Sequence, residues 1–60
     1  MTDREKLRAL HRMDSAALER IVAQYTPTNG PLAGMVAIDG IGHVRLVWIK
    51  QVLADREDAA

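Results

Sequence analysis

Sixty residues, 48% hydrophobic and 27% charged, make one small folded domain and exclude a disordered tail. Eight Lys and Arg balance eight Asp and Glu, which counts against a dedicated nucleic-acid binder, because such proteins carry a basic excess. The absence of cysteine excludes disulfides and cysteine-based metal centres, leaves a core of marginal size, and fits a cytoplasmic protein.

The chain opens with a helix start. In Thr2-Asp3-Arg4-Glu5 the threonine hydroxyl can accept from the Glu5 N–H while the Glu5 carboxylate reaches back. This capping box predicts a helix over residues 3–12, with Leu7, Leu10 and Met13 as a narrow apolar stripe. Arg4, Arg8 and Arg12 follow one another at i, i+4 on one exposed face. That face reads first as solvated and second as a phosphate-contacting stripe. No apolar stretch follows these charges, so no signal peptide is expected, and Met1 is what an intact small open reading frame would begin with.

Asp14 or Ser15 can cap a second helix, with Met13 stapling onto Leu18. Leu18, Ile21, Val22 and Tyr25 form its apolar face, and Thr26-Pro27 ends it. Residues 1–25 are therefore a helical hairpin or, alternatively, one long helix. Residues 26–31 gather turn formers, Asn29-Gly30 among them, and form the linker. Residues 32–57 make the third part of this single domain, a glycine-turn unit with a C-terminal helix. Pro31 suits the first position of a short helix over residues 31–38, weakened by Gly34.

Asp39-Gly40-Ile41-Gly42 then makes a tight turn, and residues 44–56 read as the last helix. The expected fold is mainly α, three or four helices with a Gly-rich turn before the last. A β-hairpin over residues 35–49 is the alternative. Asp39-Gly40 is also a hairpin signal, and Val36, Ile38, Ile41, Val44, Val47 and Ile49 favour strands.

The last helix is apolar on two sides. Leu46, Ile49 and Leu53 form one stripe, and Val44, Val47, Trp48 and Val52 form another. So short a chain has little with which to cover both, so a partner chain is expected, either a second copy or a larger protein. Val44, Val47, Trp48 and Val52, with Arg45, are its candidate contacts, since Trp and Arg are enriched where binding energy concentrates. No membrane span is expected: Asp39, His43, Arg45 and two glycines interrupt the apolar stretch.

The pattern Met35-x-x-Ile38-Asp39-Gly40-Ile41-Gly42-x-x-x-Leu46-x-x-Ile49 resembles the helix-hairpin-helix motif. The resemblance implies binding to DNA or RNA backbones without sequence preference. Gly40, Ile41 and Gly42 would supply hairpin amides to a phosphate oxygen, with Arg45 as basic helper and Leu46 and Ile49 packing the helices. His43 could hydrogen-bond the same phosphate when protonated. Asp39 stands where that family has proline, and Leu46 where it has alanine.

No arrangement of residues resembles an active site, so a non-enzymatic interaction module is expected, with neither cofactor nor metal. His11 and Asp14 offer two ligands at helical spacing, short of the four that a closed site needs. The leading expectation is a small regulator, inhibitor or assembly factor acting through its last helix. Nucleic-acid-backbone binding is the alternative.

Overall fold

A computed structural model describes residues 2–27 and 29–59. Met1, Ala60 and Thr28, the last within the expected linker, lie outside them. The elements run α1 (Asp3–His11), α2 (Ser15–Gln24), β1 (Met35–Ile38), β2 (Gly42–Arg45) and α3 (Leu46–Ala59). The domain is mainly α, with a two-stranded antiparallel hairpin between its second and third helices.

The capping box forms as the sequence predicts. Glu5 N–H donates to Thr2 Oγ1 at 3.3 Å, and Thr2 N–H donates to Glu5 Oε1 at 3.5 Å. The two-helix reading of the N-terminal part holds, because α1 ends at His11 and α2 begins at Ser15. Asp14 takes the extended cap conformation, but its side chain makes no cap hydrogen bond. Ser15 is not a cap either; its hydroxyl accepts from Arg56 of α3 at 2.9 Å. Met13 and Leu18 share the core, as a hydrophobic staple would place them.

Residues 35–45 correct the preferred expectation. No helix covers residues 31–38. Two successive turns, closed by Ala33 N–H to Gly30 C=O and Met35 N–H to Leu32 C=O, lead instead into strand β1. Strand β1 pairs with β2 in the register Val36 with Val44 and Ile38 with Gly42. A run as short as Met35-Val36-Ala37-Ile38 has no period that separates strand from helix. The pairing partner decides, and the turn chemistry allows it. Ile41 N–H donates to Ile38 C=O at 3.0 Å, which closes a four-residue turn with Gly40 third at φ 83°. That position of a type II turn requires positive φ. A Cβ built on Gly40 would meet open space, so its substitution cost is purely conformational. Gly40→Ala is expected to destabilise by about 1–2 kcal/mol and Gly40→Asn by less, read as urea midpoints.

The last helix begins at Leu46, two residues later than expected. The Leu46 N–H donates to Gly34 C=O at 2.8 Å, so the strand ladder runs directly into the helix. One core results. Leu10 of α1, Leu18 of α2, Val44 of β2, and Ile49 and Val52 of α3 are essentially fully buried. Half-buried Leu7, Met13, Ile21, Val36, Trp48 and Leu53 pack around them. Among the described residues no helix is long and apolar enough to cross a membrane.

Candidate functional site

Five residues of the expected last helix, Val44, Arg45, Val47, Trp48 and Val52, were the expected docking surface, and the core claims two of them. Val44 and Val52 are buried in their own chain at 0% and 1% exposure, so neither is available to a partner. Residues 44–53 therefore do not form one over-apolar helix in need of outside cover. Val44 and Arg45 belong to β2, and α1, α2 and β2 pack against α3. Trp48 is half-buried against the core, Arg45 is exposed, and Val47 is 64% exposed. A single exposed valine is ordinary surface.

The glycine turn is likewise placed differently. Gly40 and Ile41 lie in the hairpin turn, while Gly42, His43 and Arg45 lie in β2. The proposed anion site needed a helix opening straight after the glycines, so that free amides and the helix dipole converge. Here a strand precedes the turn and another follows it. The helical arms that the helix-hairpin-helix resemblance implies are therefore not what flanks Gly40 and Gly42. The carbonyl of His43 accepts from Lys6 Nζ at 2.8 Å, which fixes it as a contact between β2 and α1. Arg4 and Arg8 of α1, and Arg12 at its C-terminal cap, are all exposed. Among the described residues no three His, Asp or Glu side chains gather as a metal site.

What the fold assembles instead is an open strand edge beside a groove. The Leu46-to-Gly34 bond continues the hairpin register by one pair. In an antiparallel ladder, hydrogen-bonded pairs alternate with pairs whose N–H and C=O face outward. Val36 with Val44, and Ile38 with Gly42, are thus the bonded pairs, in phase with the single Leu46-to-Gly34 bond. Met35 with Arg45 and Ala37 with His43 are the outward ones. The Lys6 bond to the outward His43 carbonyl agrees with this phase.

The two edges differ. On β2, α1 lies close and Lys6 covers the His43 carbonyl. On β1, Met35 N–H is used in the preceding turn. The Met35 carbonyl, and both the N–H and carbonyl of Ala37, have no partner among the described residues.

That edge forms one wall of an open groove of about 410 Å³. Met35, Val36 and Ala37 line it on one side, and Ile21, Gln24 and Tyr25 from the end of α2 on the other. Tyr25 fastens the two walls, its hydroxyl accepting from the Gly34 N–H at 3.1 Å. Its own proton has no acceptor among the described residues and remains available to a carbonyl in the groove. Val36, Ile38 and Val44 face inward, whereas Ala37, His43 and Arg45 are exposed. The sequence carries a signal for this edge. Met35-Val36-Ala37-Ile38 carries no charge or proline to blunt it, and an Asp-Gly turn follows at once.

No protein-family model, no curated protein and no solved structure matches this chain.

Proposed function

We propose that this chain is a small, non-enzymatic protein-interaction module that takes an extended polypeptide along the outer edge of β1. The carrying observation is the free Met35 carbonyl, with the free N–H and carbonyl of Ala37, on a strand that lines a groove, opposite a β2 edge covered by Lys6. An added strand draws affinity from main-chain hydrogen bonds and selectivity from alternate side chains. Ala37 offers one donor and one acceptor to such a strand, Met35 a further acceptor, and the Tyr25 hydroxyl a further donor. Ile21, Met35 and Val36 give it apolar contact. This reading keeps the interaction role expected from the sequence but moves it from the last helix to the hairpin. Cysteine-free composition suits the reducing cytoplasm, where we place it.

The test presents the sparsely immobilised full chain with random peptides displayed on phage. Wild type is expected to enrich uncharged, β-branched sequences. Ala37→Pro is expected to enrich none, because it removes the outward N–H and leaves the hairpin ladder intact. Equal enrichment on both proteins, or none on wild type, overturns the proposal.

A further inference from the structure

The geometry points to the β1 edge of a second copy of this chain as the occupant of the first, an inference that rests on the strand-edge reading above. Antiparallel pairing of two β1 strands about a two-fold axis would give a four-stranded sheet in the order β2-β1-β1-β2. A two-fold interface must be self-complementary, with the same patch serving both copies.

The β1 edge meets this condition at Ala37, whose N–H and C=O both face outward. Placed on the axis, each Ala37 N–H donates to the Ala37 carbonyl of the second copy, and the two form one hydrogen-bonded pair. Its methyl side chain, exposed on the outer face, lets the strands close without obstruction.

Charge placement favours the same register. With Ala37 opposite Ala37, Met35 of each copy faces Asp39 of the other, so the two aspartates do not meet. Arg45 stands beside Met35 across its own hairpin. Asp39 of the second copy, the first residue after its β1, then lies about two strand spacings from Arg45, ~10 Å in backbone terms. An arginine side chain spans much of that gap. No net charge opposes association, since the chain sums to zero. Size allows it: pairing with itself is one of the routes by which a small chain with no disulfide gains stability.

The test is solution mass by light scattering on the full chain up to millimolar concentration. Wild type is expected to approach twice its 6.6 kDa. Ala37→Lys and Ala37→Glu, each alone, are expected to stay at one-chain mass, because like charges would face each other across the axis. An equimolar mixture of the two is expected to regain the two-chain mass. Circular dichroism of each variant checks that helicity is retained. Should either variant lose it, a synthetic chain with N-methylated Ala37 carries the test, since it removes only the outward donor; it is expected to remain at one-chain mass. A wild type that stays at one-chain mass, variants that still dimerise, or a mixture that fails to recover each overturn the inference. Wild type at one-chain mass with peptide enrichment intact rejects the second copy and leaves the peptide-binding reading standing. Loss of both rejects the edge altogether.

Discussion

Ile49→Ala is expected to leave this domain largely unfolded at room temperature. Ile49 is completely buried and belongs to the central cluster with Leu10, Leu18, Val44 and Val52. Truncating such a side chain typically costs about 2–5 kcal/mol, through lost transfer energy and the cavity left behind. A chain of this size holds only about 3–5 kcal/mol of net stability. The loss therefore matches the whole reserve. Far-ultraviolet circular dichroism with urea titration reads the outcome directly: a cooperative transition for wild type, and little or no folded baseline for the variant. Val47→Ala serves as the control, since its side chain is 64% exposed and its midpoint is expected to barely move. Retention of most of the wild-type stability by Ile49→Ala would contradict the core described here.

The second large effect belongs to Arg56. Its guanidinium reaches from α3 to the connection between α1 and α2. It donates to His11 C=O at 2.8 Å, to Met13 C=O at 2.7 Å and to Ser15 Oγ at 2.9 Å. Short bonds from a charged donor are the stronger kind, and a planar fork can serve several acceptors at once. The side chain is only half-buried, so solvent discounts each bond. Arg56→Ala is expected to cost about 2–3 kcal/mol in total. Arg56→Lys is expected to recover less than half of that, because one ammonium group cannot hold the same fork. Hydrogen exchange gives a local readout, with backbone amides around residues 12–15 losing protection first in the variant. An unchanged urea midpoint in Arg56→Ala would show that the clamp contributes nothing.

These two residues mark what the sequence could and could not reveal. Leu10, Leu18 and Ile49 stand on apolar faces that helical spacing exposes to a reader, and the Thr2–Glu5 capping box is a local pattern with a local cause. Arg56 sits in the polar run Asp55-Arg56-Glu57-Asp58, which resembles any solvated helix end. Its partners lie more than forty positions away, and no nearby pattern encodes them.

The middle of the chain was ambiguous for a different reason. Met35-Val36-Ala37-Ile38 fits strand and helix alike, and only its pairing with β2 decides. The groove needed still more. It depends on Tyr25 meeting Gly34, which brings the end of α2 alongside the free edge of β1. The expected docking surface lost two of its five residues to the core because an apolar residue count cannot say which side of a helix its own chain will cover. Val44 and Val52 were read as outward and turned out to be core.

The direct passage from β2 into α3 leaves this molecule without slack at one point. Arg45 ends the strand and Leu46 begins the helix, already tied to Gly34 by its amide. Strand phase and helix phase are therefore geared together. One extra residue at that seam would turn α3 by about 100°, carrying Ile49 and Val52 away from the interior.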